Sequence, residues 1–426
     1  MLLAPFNQGL MDFIQQSPTP FHAVHNLAAT LLKAGFVSLN ESELWSLRTP
    51  GRYFVCRNDS SIIAFKLGAA SLAQTGFKMV GAHTDSPCLK VKPQPIINSK
   101  AYLQLGVEVY GGVLLNPWFD RDLSLAGRVS YRAHNGALRS ALLNFEKALA
   151  IIPSLAIHLD RTANQERSIN AQKDIPPVLA LVNDKTPTFE QLLIDQLQRQ
   201  GVSDAEQILA HELYFYDCQP PRQIGLYDDF IAAARLDNLL SCYTGLQALV
   251  DAPGERSSLL ICTDHEEVGS TSACGAQGSF LQDVLARLHA DNESRIRCNQ
   301  VSMLISADNA HGVHPNFADK HDSNHGPVLN KGPVIKVNAS QRYASNSETV
   351  AVFRHIAQRL NVPVQSFVVR ADMGCGSTIG PVVAAETGIK TLDVGVPTFA
   401  MHSIRELAGS QDAYSLYLIL KEYFVS

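Results

Sequence analysis

The sequence lacks several patterns that mark common classes of protein. Its eight cysteines form no C-x-x-C pair, which argues against a zinc knuckle built from thiolates. It has no run of lysine and arginine, and its formal net charge is -5, so no surface for nucleic acid is predicted. No apolar run approaches the ~20 residues that a membrane-spanning helix needs. We therefore expect neither a nucleic-acid partner nor a membrane partner.

Two further absences bear on location and ligand. The N-terminal stretch MLLAPFNQGLMDF has no basic segment and contains Asp12, so it does not resemble a signal peptide. Scattered cysteines, several in apolar surroundings such as Cys262, are typical of reduced thiols in the cytoplasm. The glycine-rich stretch 374–380 lacks the Gly-Lys-Ser/Thr ending of a phosphate loop. We interpret it as a backbone wall of a substrate pocket in a cytoplasmic protein.

Length and alternation of patterns predict two domains. A chain of 426 residues with 46% hydrophobic and 18% charged residues is globular and longer than one ordinary core. Residues 1–92 and 224–426 alternate helical and strand patterns, which predicts an α/β domain with a mostly parallel central sheet and helices on both faces. Residues 93–223 contain short β-like runs separated by Gly and Pro, which predicts an inserted β-rich domain.

Four apolar runs of strand length each lead to side chains that can bind a metal. Run 76–82 is followed by His83 and Asp85, run 258–263 by Glu266 and Glu267, run 301–307 by Asp308, and run 390–401 by His402. In an open α/β sheet, ligands bind at the carboxyl ends of the strands. Imidazole and carboxylate groups that converge there predict a metal site with room for two ions.

Two ions in one site need a ligand that bridges them, and the two oxygens of a carboxylate can do so. The candidate is Asp237, at the start of a helix predicted over 232–250. Taken alone, this aspartate would more commonly be an acid of the first helical turn. Glu266 and Glu267 are neighbours, and neighbours in an extended segment point to opposite sides. One could therefore bind metal while the other holds the attacking water.

Together these motifs resemble the aspartyl aminopeptidase family of di-metal exopeptidases. The matching stretches extend over nearly the whole chain: GAHTDSP (81–87), YGG (110–112), WFDRDLSLAGRV (118–129), IPSLAIHL (152–159), RLDNLLS (235–241), DHEEVGS (264–270), SADNAHGVHPN (306–316), NKGPVIKVNASQRYASN (330–346), MGCGSTIGP (373–381) and MHSIRE (401–406). No ligand position is broken. The resemblance implies a fold like that of the di-zinc exopeptidases, with the inserted domain helping to build a dimer.

The resemblance also implies a role for each candidate residue. Asp237 bridges the two metals, His83 and Asp308 complete one site, and Glu267 and His402 complete the other. Glu266 is the general base, and Asp85 supports His83. The substrate-binding roles fall to Lys336 at the acidic side chain of the substrate, Tyr343 near the scissile carbonyl, His311 in the same pocket, and His158, which reaches the active site of a neighbouring subunit.

The activity that follows from the resemblance is removal of N-terminal Asp or Glu from small peptides. It implies two divalent ions per subunit, zinc or else manganese or cobalt, and a homo-oligomer that is a tetrahedral dodecamer. One alternative is another enzyme of the same architecture, such as a broad or glutamyl aminopeptidase or a metallo-carboxypeptidase. The other is an assembly or cargo protein with a vestigial metal site, although every ligand position is filled.

Overall fold

The structure, a computed structural model, describes residues 1–426. It divides into two compact units, the first formed by residues 1–85, 221–401 and 406–426, and the second by residues 86–220 and 402–405. The boundaries predicted from the sequence fall after residues 92 and 223. None of the helices combines the length and the apolar character that crossing a bilayer requires.

The secondary structure alternates in the first unit and is mostly β in the second. The first segment of the first unit contains α1 (Leu3–Gln16), α2 (Pro20–Lys33), β1 (Val37–Leu39), β2 (Gly51–Arg57), β3 (Ser61–Leu67), α3 (Leu72–Thr75) and β4 (Lys78–His83). The second unit contains β5 (Cys88–Ser99), β6 (Tyr102–Tyr110), β7 (Leu123–Ala133), β8 (Leu138–Asn144), β9 (Val178–Leu181), α4 (Phe189–Arg199) and β10 (Ala205–Asp217).

The rest of the first unit begins with short strands and then resumes the alternation. Its elements are β11 (Arg222–Ile224), β12 (Phe230–Ala233), α5 (Leu236–Asp251), β13 (Ser258–Thr263), α6 (Phe280–Arg287), α7 (Asn292–Val301), β14 (Met303–Ala307), β15 (Ala310–His311), β16 (Val334–Lys336), α8 (Ser347–Arg359), β17 (Gln365–Phe367), α9 (Ile379–Thr387), β18 (Lys390–Gly395), β19 (Pro397–Phe399), β20 (Glu406–Gly409) and α10 (Asp412–Tyr423). Short 3-10 turns occur at Asn116–Trp118, Glu266–Val268 and Ala318–Lys320.

The central sheet of the first unit has nine strands in the order β1-β2-β3-β13-β4-β14-β18-β16-β17. Its middle strands β13, β4, β14 and β18 are all parallel. Residues of β13 and β14 are buried throughout, as expected for parallel strands covered on both faces. The antiparallel pairs lie toward the two sides of the sheet. The predicted α/β fold class is confirmed.

Helices cover both faces of this sheet. Because side chains alternate along a strand, β3 sends Ile62 and Ala64 into one apolar cluster and Ile63 and Phe65 into another. The first cluster draws on α1, α2, α5, α8 and α10, and the second on α6, α7 and α9. The sheet is therefore packed between two layers of helices. Side chains at the carboxyl ends of its strands are positioned by this packed scaffold.

Two predicted elements were wrong. The run 390–401 is not one strand, since β18 ends at Gly395 and β19 belongs to a separate five-stranded sheet of order β11-β12-β20-β19-β15. The run stays apolar through this change, so periodicity does not reveal it. The helix predicted from residue 232 begins at Leu236, because Phe230–Ala233 pair with β20 instead. Pairing with a distant strand overrides the helix preference of the alanines there.

The second unit is built on one antiparallel sheet. Its six strands run in the order β8-β7-β10-β5-β6-β9. The core of this unit includes Leu125 and Phe215 from the sheet, Trp118 from the 3-10 turn before β7, and Leu193 and Leu197 from α4. Thr188 caps the start of α4, because its side chain accepts a hydrogen bond from the Gln191 amide, so the helix has a defined start.

Candidate metal centre

Three neighbouring parallel strands place their carboxyl ends at one edge of the central sheet. His83 is the last residue of β4, and Asp308 follows β14 directly. The loop after β13 carries Glu266 and Glu267. Since β13, β4 and β14 are adjacent, residues that are far apart in sequence meet at this edge. We name the group formed by His83, Asp237, Glu266, Glu267 and Asp308 the candidate metal centre.

The two glutamates lie in a tight turn and not in the extended segment that was predicted. Glu266–Val268 form a 3-10 turn, preceded by His265 at φ 63° and followed by Gly269 at φ 97°. Asp85 accepts hydrogen bonds from both glutamate amides, at 3.2 Å for Glu266 and 3.1 Å for Glu267. A buried carboxylate from a different strand therefore fixes this turn, which local sequence cannot reveal.

Asp237 reaches the same edge from the first turn of α5. Its backbone is not helical (φ -83°, ψ 105°), so its side chain departs from the direction that a regular helix would give it. Its amide donates to Oε2 of Glu406 at 2.8 Å. The next residue, Asn238, donates from its side chain to the Ala307 carbonyl at 2.9 Å. These two contacts tie the start of α5 to β20 and to the end of β14.

His83 lies at the middle of the carboxylates. Its Nε2 is 3.4 Å from Oδ1 of Asp237, 3.6 Å from Oδ1 of Asp308 and 4.0 Å from Oε2 of Glu266. On the other side of the ring, Nδ1 is 3.1 Å from the carbonyl oxygen of Asp85 and 3.4 Å from its carboxylate. A partner at Nδ1 fixes the ring orientation and leaves Nε2 to face the carboxylates.

Burial and neighbouring charges at this edge shift the pKa of His83 and of both glutamates. Burial raises the pKa of Glu266 to about 7, opposed by His83 and reinforced by Asp308 and Asp237. Burial and the charge of Asp237 raise the pKa of Glu267 well above its ordinary value. Burial alone would lower the pKa of His83, but its carboxylate neighbours raise it well above the usual range. So many acids in one buried place indicate a site made for a cation.

The donor atoms fit zinc or a similar divalent ion. One atom each of His83, Asp237 and Asp308 lies within 4.8 Å of the others, and the same holds for His83, Glu266 and Glu267. Two donors about 2.1 Å from a tetrahedral ion would be about 3.4 Å apart. The distances of 3.4 and 3.6 Å at Nε2 of His83 are close to this value. Imidazole and carboxylate donors suit zinc, and also manganese or cobalt.

Two of the predicted site residues belong to the second unit. His402 has a positive φ of 69°, and its Nδ1 lies 3.0 Å from the carbonyl oxygen of Gly112. That contact leaves Nε2 as the atom that could bind a metal. His158 lies in the stretch between β8 and β9 and is exposed. Their roles as a ligand and as a residue of a neighbouring active site stay predictions.

The predicted substrate-binding residues of the first unit surround Lys336. This lysine is buried, with Nζ donating to the Asn309 carbonyl at 3.2 Å and lying 3.4 Å from Oδ2 of Asp308. Nζ also lies 5.1 Å from the ring centroid of Tyr343. Burial raises the pKa of Tyr343, so its hydroxyl keeps its proton at neutral pH and can donate. Lys336 thus has two neighbours of different kinds, a candidate metal ligand and an aromatic ring.

An open cavity lies next to these residues. It has a volume of about 290 Å³, and its lining includes His311, Tyr343 and the stretch 373–376 of the glycine-rich loop. His311 packs its ring against Phe367 at 5.7 Å between centroids. A cavity of this size, lined by imidazole, phenol and backbone groups, can hold an amino-acid side chain.

Comparison with known proteins identifies the family. The family model described as "Aminopeptidase I zinc metalloprotease (M18)" matches residues 13–424. This chain belongs to the M18 family. It is therefore a metallo-aminopeptidase of a zinc metalloprotease family, and the resemblance drawn from the motifs is confirmed at the level of the family. The carboxypeptidase alternative was wrong.

The curated relatives agree over the full length. A protein named "Probable M18 family aminopeptidase 2" from Pseudomonas aeruginosa strain LESB58 is 58% identical over 424 residues, with 99% of each chain covered. A protein of the same name from Azotobacter vinelandii is 59% identical over 421 residues, covering 99% of this chain and 98% of the relative. Neither name states which N-terminal residue is removed.

Solved structures of M18 relatives have the same fold. A chain of the Ape4 and Nbr1 complex, determined by cryo-EM, superposes with a TM-score of 0.96 at 39% identity and covers 99% of this chain and 86% of that chain. The mApe1 dodecamer of S. cerevisiae superposes with a TM-score of 0.86 at 29% identity, with 98% and 96% covered. The fold class of the aminopeptidase is thus established independently of its motifs.

Sequence reasoning missed two residues that support the site of the aminopeptidase. Glu406 holds the amide of Asp237. Asp393 is buried in β18, where it accepts hydrogen bonds from the Ala344 amide and the Thr378 hydroxyl, both at 2.6 Å. It thereby links the loop that carries Tyr343 to the glycine-rich loop. The available signal for Asp393 was an acidic residue inside an apolar strand, which is rarely tolerated without partners.

Substitution of Glu406 by Ala is expected to weaken metal binding by about 10- to 100-fold, the usual effect of losing a residue that orients a ligand. The change leaves the buried amide of Asp237 without its acceptor at 2.8 Å. The Glu406→Gln variant keeps an acceptor oxygen and should bind metal nearly as tightly as the parent. The measurement is competition for zinc against a chelating dye. Equal affinities of the Ala variant and the parent would contradict this role.

Proposed function

We propose that this M18 aminopeptidase removes N-terminal Asp, and also Glu, from small peptides with a pair of divalent ions bound at the edge of its central sheet. The observation that carries the proposal is the candidate metal centre itself. Its imidazole and four carboxylates converge from three adjacent strand ends and the start of α5. Five such ligand side chains are more than one four-coordinate ion needs, which favours a site for two ions.

The proposal keeps the ligand roles that the family resemblance implies. His83 and Asp308 would hold one ion, and Glu267 and His402 the other, with Asp237 between them. Asp237 and Glu267 each present a donor atom within 4.8 Å of the other, in keeping with a shared ion. Zinc is the ion that the family uses; manganese or cobalt would fit the same donors. When bound, such ions lower the pKa of a coordinated water and polarise a carbonyl group.

Glu266 is the proposed general base. Its carboxylate stands 4.0 Å from Nε2 of His83, and the turn that carries it is held by Asp85. Glu266 takes a proton from the attacking water and later delivers it to the leaving amine, as one carboxylate can do in both directions. Tyr343, protonated at neutral pH, donates a hydrogen bond where negative charge develops on the carbonyl oxygen.

The preference for acidic residues is assigned to Lys336. Its ammonium group is buried beside Tyr343 and Asn309, and a charge held away from water attracts an opposite charge strongly. His311, at the neighbouring cavity, would line the same pocket. The competing function is that of a broad or glutamyl aminopeptidase, in which Lys336 would serve only to balance the charge of Asp308, 3.4 Å away.

The test is a panel of peptides that differ only in the first residue. Asp-, Glu- and Leu-initiated peptides are incubated with the metal-loaded enzyme, and the released amino acid is quantified. The proposal predicts rapid release of Asp and Glu and little release of Leu. Release of Leu at a rate similar to that of Asp would leave the aminopeptidase activity intact but remove the acidic preference.

We also propose that the chain assembles into a dodecamer and acts in the cytoplasm. Leu155, Ile157 and Leu159 flank His158 and are 59%, 46% and 74% exposed, and such apolar exposure marks an interaction surface. The S. cerevisiae relative named above is a dodecamer. Native mass measurement should give twelve chains. A monomer with full activity would contradict the proposed reach of His158 into a neighbouring active site.

A further inference from the structure

One thiol has surroundings that differ from those of the other cysteines. Cys274 is 4% exposed and lies in the loop after β13, where the nearby residues Thr271 and Ala273 are exposed. Its Sγ is 3.5 Å from Nδ1 of His265, 3.7 Å from Oγ of Ser272 and 3.9 Å from Oγ of Ser60. Several polar groups thus converge on one sulfur atom just beneath the surface.

The imidazole beside this thiol has an acid on its opposite side. Nε2 of His265 lies 3.5 Å from Oδ2 of Asp264, while Nδ1 faces Cys274 and also lies 2.8 Å from Oγ of Ser272. The thiol of Cys274 and the carboxylate of Asp264 therefore lie on opposite sides of the His265 ring, and Asp264 orients that ring. This order is the one that activates a nucleophile, and a thiolate beside an imidazole is the reactive form of cysteine.

The direction of the pKa shift separates Cys274 from Cys56, Cys218 and Cys298. Burial, the largest effect, raises the pKa of Cys274, but hydrogen bonds with His265 and Ser272 bring it below its ordinary value. Burial raises the pKa of Cys56 to about 12 and that of Cys218 to about 11. The pKa of Cys298 is also raised by burial. Cys218 is more exposed than Cys274. Exposure alone would therefore favour reaction at Cys218, whereas the direction of the pKa shifts favours reaction at Cys274.

We propose that Cys274 is a modification site for small hydroperoxides, and that its oxidation lowers turnover through His265. The thiolate sulfur attacks one oxygen of hydrogen peroxide, forming an S–O bond while the O–O bond breaks. Sulfur loses two electrons, and the leaving hydroxide takes one proton to become water. The product is a sulfenic acid, which a phosphine reductant returns to the thiol as the phosphine becomes its oxide.

The consequence for activity follows from how tightly this region is packed. His265 directly precedes Glu266, and the hydroxyl of Ser61 joins the two ends of the loop, donating to the Cys274 carbonyl and accepting from the Asp264 amide, both at 2.8 Å. An oxygen added to Sγ has to fit where His265 and Ser272 now lie. Displacement of His265 shifts the turn that positions Glu266, and a small shift of a catalytic group is costly.

The experiment treats the zinc-loaded enzyme with a small excess of hydrogen peroxide. A dimedone-type probe then labels sulfenic acid, and peptide mass spectrometry locates the label. We expect Cys274 to be labelled about tenfold faster than Cys218 or more, since the thiolate fraction outweighs the lower nucleophilicity of an acidic thiol. Release of the N-terminal residue should fall in proportion to the modified fraction of Cys274 and return after phosphine treatment, with the zinc content unchanged.

Two variants serve as controls, each compared with its own untreated activity. Cys274→Ser should keep its activity in peroxide, whereas Cys218→Ser should lose activity like the parent. Faster labelling of Cys218 than of Cys274, or equal inactivation of the Cys274→Ser variant, would overturn the proposal. So would a third zinc equivalent that is lost in Cys274→Ser, because Asp264, His265 and Cys274 could instead hold a metal, and a bound metal would protect the thiol.

Discussion

Replacement of Glu266 by Gln is expected to lower kcat by about 10²- to 10⁴-fold, the range for loss of a general base. Gln has nearly the same shape, so it should preserve the turn that Asp85 holds through the amides of residues 266 and 267. It cannot take a proton from water, however. KM for an Asp-initiated peptide and the zinc content should both change little. Steady-state kinetics and elemental analysis of the same sample give these values.

The matched control is the same substitution one residue later. Glu267→Gln removes a proposed ligand, so it should reduce the zinc content as well as the activity, and added zinc should restore part of that activity. No amount of zinc should restore Glu266→Gln. Near-normal kcat in Glu266→Gln would exclude the general-base role. Loss of zinc in that variant would make Glu266 a ligand.

The second large effect is expected from Lys336→Ala, which should reduce the preference for Asp over Leu at the N-terminus. Removing one partner of a buried charge pair costs about 2 kcal/mol or more, which corresponds to roughly a 30-fold loss in kcat/KM for the acidic peptide. A Leu-initiated peptide has no acidic side chain to pair with Lys336, so its kcat/KM should fall less. The readout is the ratio of kcat/KM for the two peptides.

The position of Lys336 calls for a second measurement. Nζ lies 3.4 Å from Oδ2 of Asp308, so its loss could also disturb metal binding. Lys336→Arg keeps the positive charge and should retain more of the preference than Lys336→Ala. If Lys336→Ala loses zinc and slows both peptides equally, the lysine serves Asp308 and not the substrate.

The strand ends explain why so much of the centre was predictable. Buried parallel strands are continuous apolar runs, and 258–263 coincides with β13. Polar residues that follow such runs meet at one edge because the strands are parallel and adjacent. His83, Glu266, Glu267 and Asp308 could therefore be grouped without knowing the order of the strands.

What the sequence did not reveal depends on contacts between distant residues. The 3-10 turn at Glu266 is held by Asp85, which lies 181 positions earlier in the sequence. Val396 continues the apolar run while the chain passes from β18 to β19 in another sheet. Glu406 supports Asp237 across a separation of 169 residues. Such partners leave no periodic pattern in the sequence. A carboxylate can accept a hydrogen bond from the backbone amide of any residue except proline, so the donor residue need not be of a particular type.

A zinc titration of the metal-free enzyme is the direct test of the two-metal centre, with bound zinc and hydrolysis of an Asp-initiated peptide followed together. We predict two equivalents bound per chain and activity that rises with them. The Asp237→Ala variant, which lacks the proposed bridging ligand, should bind less zinc and stay inactive at any zinc concentration. Full hydrolysis without metal, or unchanged binding and activity in Asp237→Ala, would contradict a two-metal centre built around Asp237.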